Sequence, residues 1–466
     1  MGIILYNTLT RRREEFSPLG KTVGLYTCGP TVYNYLHVGN YRTYIFEDAL
    51  RRSLSFAGLS VRHVMNITDV GHLTSQADEG DDKMEVGAAR EGKTAWEIAE
   101  FYTQSFLEDS KALGLLPPDV LCKATAHIPE QIALISSLEA KGFTYRTDDG
   151  VYFDASKFPD YGRLAGGSAH ISGLQEGARV QANAQKRNAT DFALWKFSPL
   201  DKKRQMEWDS PWGRGFPGWH IECSAMAMKY LGESFDIHCG GVDHIPIHHT
   251  NEIAQAEGAT GKPFVRFWLH GEFLVLNKAK MAKSAGSFIK LSDLAPQGYD
   301  PLDYRYLCFN THYRKQMEFS WESLEGAKSA RRNLKDRVRD ITREAAGKTA
   351  TEEKARALLA RFKERVSDDL DMPGALAALW DIVRPGPALD CAAALRAVDA
   401  AEEVLGLGLR EAAEKALEPR LQEKFDLYVQ ARKRKDYAAS DSLRKELAAE
   451  GVKIEDSSAG SRWRRE

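Results

Sequence analysis

Long apolar runs are missing from this sequence: none approaches the roughly 18 residues that a membrane-spanning helix needs. The N-terminal stretch MGIILYNTLTRRREEF also lacks a cleavable signal pattern. Net charge is small, because 64 Lys and Arg stand against 66 Asp and Glu, which leaves -2. No global basic field therefore indicates nucleic acid, and any polyanion site must be local. We expect a cytoplasmic protein with no membrane partner.

Closely spaced cysteine pairs are also missing. This pattern is typical of a reducing compartment and leaves single thiols available for packing or for a metal. The 466 residues are enough for about three domains, each with its own core. The six cysteines are Cys28, Cys122, Cys223, Cys239, Cys308 and Cys391.

One stretch does bring thiol, imidazole and carboxylate groups together. Cys223 is followed by His248, His249 and Glu252, and His248 and Glu252 share a face if this segment is helical. These groups match the sulfur, nitrogen and oxygen ligands of zinc, although a closed site needs a fourth ligand from elsewhere. The alternative is a surface pair of His248 with Glu252 and a cysteine that only packs in the core.

The flanks of that stretch predict its local structure. Pro246 favours a helix that starts two residues before His248, and Gly258 favours the end of that helix. Gly240, Gly241 and Asp243 follow an apolar, strand-like segment. A glycine turn followed by a carboxylate suits the ribose of a nucleotide.

The N-terminal region predicts a parallel sheet. Residues 23–27 and 61–67 have the pattern of buried strands, and residues 41–56 have the periodicity of a helix between them. Such a strand, helix, strand unit places ligands at the carboxyl ends of its strands. Five residues are predicted to lie at that edge: Cys28, His37, Gly39, Asn40 and Thr68.

The segment HVGN at 37–40 has two interpretations. A helix that opens near Asn40 would direct backbone N–H groups at an anion, with His37 nearby and Gly39 allowing close approach. A plain turn is the alternative. Further on, the loop NKAKMAKSAGSF carries Lys280 and Lys283, which suit the charge that develops on a triphosphate, although lysine pairs are common in loops.

The rest of the chain predicts mostly helices around an insertion. Residues 95–142 have helical periodicity interrupted by Pro117 and Pro118, and residues 143–195 resemble a hairpin with glycine-rich turns, inserted between two halves of one sheet. Within it, residues 192–195 are predicted to pack in the core. Beyond Trp321 the composition indicates a helical bundle to about residue 409.

The C-terminal segment from Arg420 onward is slightly basic, with 12 Lys and Arg against 9 Asp and Glu. An aromatic side chain among cations can stack on a base and pair with phosphates, so this end is a candidate RNA contact. A disordered, solvated tail is the competing interpretation. The candidate residues are Arg462, Trp463, Arg464 and Arg465.

Taken together, these segments resemble the class I aminoacyl-tRNA synthetases and, among them, the cysteinyl-tRNA synthetase family. HVGN at 37–40 is similar to the HIGH signature, with Asn40 in place of its second histidine, and KMAKS at 280–284 is similar to KMSKS. The more specific segments are TCGPTVY from Thr27, NITD from Asn66, GWHIECSAM from Gly218, GGVD from Gly240, HHTNE from His248, DDLDMPGAL from Asp368 and SRWRR from Ser461.

The resemblance implies an α/β fold: a Rossmann-type parallel-sheet catalytic domain with an insertion, then an α-helical bundle and a small C-terminal domain. The expected boundaries are 1–120 with 196–270 for the catalytic domain, 121–195 for the insertion, 271–325 for the KMSKS-loop and tRNA-stem region, 326–415 for the bundle and 416–466 for anticodon recognition.

The resemblance also implies substrates and site residues. L-cysteine, ATP with Mg²⁺ and tRNA(Cys) are the expected partners of a monomer, with one Zn²⁺ per chain binding the substrate thiolate. Cys28, Cys223, His248 and Glu252 would hold the zinc. His37, Gly39, Asn40, Gly241, Asp243, Lys280 and Lys283 would contact ATP, with His37, Asn40 and the two lysines catalytic. Cys28, Thr68, Trp219 and His220 would bind cysteine.

Two other functions remain open at this point. A ligase that joins cysteine to an amino sugar would share the adenylation step, but the long helical and basic C-terminal portion argues against it. A zinc-stabilised RNA-binding protein without catalysis would not need both ATP signatures.

Overall fold

The computed structural model describes residues 2–70, 83–167, 185–199, 203–276, 279–280, 288–386, 389–410, 417–457 and 460–465. Within these ranges, none of the helices combines the length and hydropathy that crossing a bilayer requires. The chain divides into two compact units, Met1–Leu409 and Arg410–Glu466.

The strands of the first unit are β1 (Ile3–Asn7), β2 (Arg12–Phe16), β3 (Thr22–Thr27), β4 (Ser60–Ile67), β5 (Val120–Lys123), β6 (Thr144–Thr147), β7 (Gly150–Phe153), β8 (Phe192–Phe197), β9 (Gly215–Pro217), β10 (Phe235–Gly241), β11 (Val265–Gly271), β12 (Leu274–Leu276), β13 (Ala279–Lys280) and β14 (Met317–Phe319). Its helices are α1 (Val38–Phe56), α2 (Lys83–Glu91), α3 (Ala95–Ala112), α4 (Ile128–Ala140), α5 (Trp219–Leu231), α6 (His248–Thr260), α7 (Pro301–Phe309), α8 (Trp321–Ala345), α9 (Glu352–Ser367), α10 (Met372–Ile382) and α11 (Cys391–Leu405).

A five-stranded sheet in the order β11-β10-β3-β4-β5 is the centre of the first unit, and all of its strand pairs are parallel. The predicted strand, helix, strand unit is confirmed as β3, α1 and β4. Strands β3 and β10 pair directly, with Ile237 opposite Leu25 and Cys239 opposite Thr27. The two halves of the sheet are therefore far apart in sequence, and the predicted α/β class is confirmed.

Local structure departs from prediction around β10 and α6. Gly240 and Gly241 belong to the strand itself and pair with β11, because parallel ladder bonds use only the backbone. Helix α6 does not end at Gly258, so that prediction is wrong. It continues to Thr260 and is capped by Gly261 at φ 75°, the left-handed conformation that glycine adopts without a side-chain clash.

The insertion forms a sheet of its own. Strands β6 to β9 make a four-stranded antiparallel sheet that contains the predicted hairpin, and β8 buries Phe192 to Trp195 as expected. Sequence periodicity missed β5, a short strand just after Pro118. Its four residues are too few for a periodic signal, and long helices flank it on both sides.

Beyond β14, four helices from α8 to α11 form the predicted bundle. A fully buried guanidinium ties this bundle to the sheet domain. Arg305 on α7 pairs with Asp48 on α1 at 2.5 Å and donates to the carbonyl of Leu405 at 2.7 Å. An ion pair this deep is stable only when its remaining donors are also satisfied, as they are here.

The second unit contains two helices, α12 (Pro419–Lys433) and α13 (Tyr437–Ala449), and a hairpin of β15 (Val452–Ser457) and β16 (Gly460–Arg465). Its small core includes Leu421, Tyr428, Leu447 and Ile454, and half-buried Trp463 packs against that core. The described part of this end is therefore folded.

Candidate active site

The candidate site lies at the carboxyl ends of the central strands. Cys28 directly follows β3, and helix α6 begins a few residues after β10. Helix α5 supplies the second thiol, Cys223, from its second turn. Since these strands are parallel and adjacent, residues distant in sequence converge at one edge.

Four buried side chains form a candidate metal centre there. The ligand atoms of Cys28, Cys223, His248 and Glu252 all lie within 4.8 Å of one another. These are the four residues implied by the resemblance. The helical spacing of His248 and Glu252 places His248 Nε2 3.1 Å from Glu252 Oε1. The arrangement of two thiols, one imidazole and one carboxylate is compatible with a metal ion.

A second set of ligand atoms overlaps the first. Cys28, His238, His249 and Glu252 also lie within 4.8 Å of one another. His249 Nε2 is 3.3 Å from Cys28 Sγ, and His238 Nε2 is 2.9 Å from Glu252 Oε2. Sequence reasoning noted His249 without assigning it a role, and it missed His238. The available signal was a histidine inside a strand predicted to be buried.

The two thiols ionise very differently. The hydrogen bond with Cys28, together with the neighbouring His248, lowers the pKa of Cys223 to about 6, against the opposing effects of burial and of Glu252. Burial raises the pKa of Cys28 well above its usual range. The pair therefore holds one thiolate near neutral pH, and the thiolate is the form that binds metals.

His248 and Glu252 stabilise each other's charged forms. Burial alone would lower the pKa of His248, but the charges of Glu252 and Cys223 raise it to about 10. Burial would likewise raise the pKa of Glu252, but His238 and His248 lower it to about 2. A carboxylate this deep is kept ionised by its neighbours.

Further histidines surround these ligands. His249 Nδ1 lies 2.8 Å from His270 Nε2, and burial lowers the pKa of both imidazoles well below the usual range. Two of the predicted cysteine-pocket residues, Trp219 and His220, contact His248. Trp219 stacks on His248 with ring centroids 4.5 Å apart, and His220 Nδ1 is 3.0 Å from His248 Nδ1.

Thr68, the remaining predicted pocket residue, follows β4 at the same edge of the sheet. Its hydroxyl accepts a hydrogen bond from the Asn66 amide at 3.0 Å, and its backbone bridges to the loop after β3. The structure thus fixes its backbone beside the loop that follows Cys28.

The HVGN segment forms the N-terminus of α1. His37 is the N-cap and accepts from the Asn40 backbone N–H, while the Asn40 side chain accepts from the His37 backbone N–H, each at 3.1 Å. A Cβ at Gly39 would lie 3.0 Å from the His37 ring, so glycine keeps this turn compact. The helix N-terminus at the sheet edge agrees with the expected anion-binding geometry.

Gly240 and Gly241 allow side chains to approach the end of β10. A Cβ at Gly240 would lie 2.5 Å from His244 Nδ1 and 2.8 Å from His249 Cε1. At Gly241 it would lie 2.4 Å from Asp243 Oδ1. A larger residue at Gly240 would displace two histidines near the candidate metal centre, and one at Gly241 would displace Asp243.

Some predicted residues cannot be placed. Lys283 and the side chain of Lys280 lie outside the described part of the chain, as do the side chains of Arg462, Arg464 and Arg465. Of the C-terminal four, only the Trp463 side chain is described.

Comparison with known proteins agrees with this geometry. A family model described as the tRNA synthetases class I (C) catalytic domain matches residues 15–329. Cysteine–tRNA ligase 1 of Burkholderia lata is 52% identical over 466 residues, covering 99% of this chain and 97% of the relative. Cysteine–tRNA ligase of Treponema denticola is 45% identical, with 100% of both chains covered.

The chain belongs to the cysteine–tRNA ligase family. The membership makes it an enzyme of the class I aminoacyl-tRNA synthetases. The same α/β fold is found in a crystal structure of Mycobacterium tuberculosis methionyl-tRNA synthetase bound by methionyl-adenylate, with a TM-score of 0.56 and 17% identity over 90% of this chain and 96% of that one.

Proposed function

We propose that this enzyme activates L-cysteine with ATP and transfers it to the 3′ end of tRNA(Cys). The observation that carries the proposal is the buried cluster of Cys28, Cys223, His248 and Glu252 at the carboxyl edge of the sheet. The names of its full-length relatives support cysteine and tRNA as substrates.

The reaction has two displacement steps. A carboxylate oxygen of cysteine attacks the α-phosphorus of ATP, the bond to the β-phosphate breaks, and pyrophosphate leaves with the electron pair. A ribose hydroxyl of the terminal adenosine then attacks the carbonyl carbon of the adenylate. The ester forms, AMP leaves, and the hydroxyl proton passes to a phosphate oxygen. Because the first nucleophile is already an anion, positioning and charge stabilisation are the main tasks of the protein.

For ATP, residues at the N-terminus of α1, at the end of β10 and in the loop of Lys280 and Lys283 would carry out those tasks. We assign phosphate contacts to His37, Gly39 and Asn40 because they form the opening of α1, whose N–H groups and dipole favour an anion. Gly241 and Asp243 at the end of β10 are assigned to the ribose. Lys280 and Lys283, with Mg²⁺, would neutralise charge that develops on the phosphates.

The candidate metal centre fits zinc. Two thiols with one imidazole and one carboxylate are ligands that zinc prefers, and Cys223 supplies a thiolate near neutral pH. When bound, zinc supplies a soft Lewis-acid contact for the thiolate of cysteine, which the hydroxyl of serine matches poorly. Trp219, His220 and Thr68 would shape the rest of the amino-acid pocket.

We assign tRNA, and not an amino sugar, as the molecule that accepts the activated cysteine. The bundle and the separate unit Arg410–Glu466 add chain beyond the sheet domain, and full-length relatives are named as tRNA ligases. We place the catalytic domain in residues 1–120 and 196–270, the insertion in 121–195, the KMSKS-loop region in 271–325, the bundle in 326–415 and anticodon recognition in 416–466.

A cobalt-substituted enzyme tests the proposed basis of specificity. Adding cysteine should alter the thiolate-to-cobalt charge-transfer absorption because the substrate sulfur joins the metal, while serine should leave it nearly unchanged. Cysteine-dependent pyrophosphate exchange is measured on the same sample. A spectrum indifferent to cysteine, in an active enzyme with about one cobalt per chain, would make the metal structural and refute this basis.

A further inference from the structure

Helix α1 carries a buried arginine, Arg42, two residues after the HVGN segment. Arg42 is only 4% exposed, and its guanidinium donates to four backbone carbonyls. One side chain therefore holds two separate segments against α1, the link between β11 and β12 and the link between α7 and β14. The acceptors are Glu272 at 2.6 Å, Phe273 at 2.5 Å, His312 at 3.4 Å and Lys315.

The first of these segments leads directly into the loop with the two lysines. Leu274 is the first residue of β12, and a Cβ at Gly39 of the HVGN segment would lie 3.7 Å from the Cβ of Leu274. Strand β12 pairs with β13, where Val275 is opposite Lys280, and with β14. A short stretch of paired backbone is therefore all that separates the carbonyls held by Arg42 from the backbone of Lys280.

The chain returns from that loop to the same end of α1. The backbone N–H of Val38 donates to the carbonyl of Ile289 at 2.9 Å. His37 forms an isolated backbone bridge with Lys290, and its ring meets the ring of Phe288 edge-on, with centroids 5.7 Å apart. Both ends of the two-lysine loop are thus attached to the part of α1 that carries HVGN.

The contacts of Arg42 favour a role in positioning over a role in stability alone. Its four acceptors are carbonyls, and withdrawing a guanidinium from water costs free energy that an apolar side chain in the same space would not require. What the guanidinium adds is direction, because its planar fork of donors fixes two segments at set distances from the helix. Arg42 therefore suits the task of setting the distance between the two segments assigned to ATP.

We propose that Arg42 is a positioning residue for the activation step. It places Lys280 relative to the HVGN segment, so that the lysine meets the charge that develops on the phosphates. This inference rests on the proposed function and on the ATP contacts assigned there. Since that charge is greatest in the transition state, a misplaced lysine should slow the reaction more than it weakens ground-state binding of either substrate.

Arg42→Met tests the proposal, because it removes the donors and leaves an apolar side chain in their place. We expect kcat for cysteine-dependent pyrophosphate exchange to fall at least about tenfold, since a misplacement of about 1 Å can cost about a hundredfold in rate. The KM for ATP should stay within about threefold of wild type. Cysteine affinity, measured by calorimetry on the same full-length enzyme, should also stay within about threefold.

A double-mutant cycle with Lys280→Ala separates positioning from general damage. Lys280→Ala alone should lower kcat. If Arg42 acts through Lys280, then adding Arg42→Met to the chain without the lysine should change kcat by less than about threefold. A purely structural role would instead lower the rate of both chains by the same factor.

Arg331→Met is the matched control. Arg331 on α8 is also buried, donates to the Leu407 carbonyl at 2.8 Å and pairs with Asp303 at 3.0 Å, contacts that involve neither α1 nor the two-lysine loop. This variant should melt at a lower temperature but keep kcat within about threefold of wild type. Thermal melting establishes that every variant is folded at the assay temperature.

Arg42→Lys is the milder variant, for use if Arg42→Met does not fold. It keeps the charge but presents one nitrogen, which cannot hold both segments as the fork does. We expect the same kinetic pattern as for Arg42→Met, with a smaller loss of stability. Failure of both variants to fold would make Arg42 a structural residue only and would overturn the proposal.

The wild-type rate is the reference for these outcomes. Absence of cysteine-dependent exchange in the wild type would refute the proposed function, and this inference with it. In an active enzyme, three results would overturn the positioning role alone. They are an undiminished kcat in folded Arg42→Met, equal losses with and without Lys280, and a loss of cysteine affinity as large as the loss of rate.

Discussion

Cys223 is the thiol whose surroundings favour ionisation most, since Cys28 and His248 lower its pKa to about 6. Cys223→Ser replaces that thiolate by a hydroxyl, a much weaker zinc ligand. We expect the variant to retain a minor fraction of the wild-type zinc and to bind cysteine more than about tenfold more weakly, with little change in ATP affinity. Elemental analysis and calorimetry measure these quantities.

Cys122→Ser is the matched control for that experiment. Cys122 is also a buried thiol, but its sulfur donates to the Met65 carbonyl, a contact that serine can retain. Zinc content and cysteine affinity should stay near wild type. Equal zinc loss in both variants would show that burial of a hydroxyl, and not loss of a ligand, caused the effect.

His63 gives a prediction for pH dependence. Burial lowers its pKa from 6.5 to about 3, so the unfolded chain takes up this proton first as the pH falls. Stability that is present above pH 6.5 is therefore lost progressively towards pH 3, by about 2 kcal/mol between pH 7 and 5.

Comparison with a non-titrating side chain isolates this contribution. His63→Gln should lower stability at pH 7, but its stability should fall less than that of the wild type between pH 7 and 5. Urea unfolding at pH 7 and at pH 5 measures the loss in the free energy of unfolding for the wild type and for His63→Gln. An equal loss in both proteins would mean that His63 is already protonated in the folded protein or shielded in the unfolded one.

Site residues on one helical turn were accessible from sequence, whereas contacts across the sheet were not. The spacing of His248 and Glu252 predicted their shared face directly. Cys28 entered the metal site through family resemblance, because no periodicity relates it to a residue on α5. His238 was missed since a single histidine in a buried strand does not reveal which carboxylate it faces.

Among whole elements, helices α6 and α8 provide a paired test of backbone conformation. Gly261 caps α6 at φ 75°, where a side chain is strained, so Gly261→Ala should destabilise the protein by about 1 kcal/mol. Gly326 lies inside α8, and a Cβ there would meet no atom within 4 Å. Gly326→Ala should stabilise by roughly 0.5 to 1 kcal/mol.

The two substitutions are identical in chemistry and should shift the melting temperature in opposite directions. Calorimetric melting of both proteins measures the shifts. Shifts of the same sign would refute the assignment of the left-handed conformation to Gly261 or of the open helical surface to Gly326.

Elements with strong periodicity were predicted well, and short ones were not. Helix α1 follows a period of 3.6 residues, and β3 and β4 have the pattern of buried strands. Strand β5 has only four residues, so its existence depends on pairing with β4. The end of α6 was misplaced because Gly258 packs in the helix against Leu138 and Phe143, a tertiary reason for glycine that sequence does not reveal.

For the molecule as a whole, the separate compactness of Arg410–Glu466 leads to a truncation prediction. A chain that ends at Leu409 keeps the sheet, the bundle and the candidate metal centre. It should retain cysteine-dependent pyrophosphate exchange within about threefold, while tRNA charging falls by more than about a hundredfold because the proposed anticodon contacts are lost.

Exchange and charging assays on the full-length and truncated enzymes provide the comparison, with circular dichroism to establish folding. A chain in which Arg462, Arg464 and Arg465 are replaced by alanine is the milder variant. It should lose charging but keep exchange. Loss of exchange in a truncated chain that is still folded would assign the C-terminal unit to the catalytic domain.

The insertion between the two halves of the sheet sets a delay during biosynthesis. Cys28 is translated about 220 residues before Glu252, the last member of the candidate metal centre. At 5 to 20 residues per second, the ribosome takes roughly 10 to 45 seconds to make that interval. Until residue 241 has been made, β3 lacks its neighbour β10, and until residue 252 has been made, Cys28 lacks its complete set of partner ligands. For the proposed zinc site, loading should therefore be a late event on the ribosome, and a stalled nascent chain that ends before His248 should not acquire zinc there.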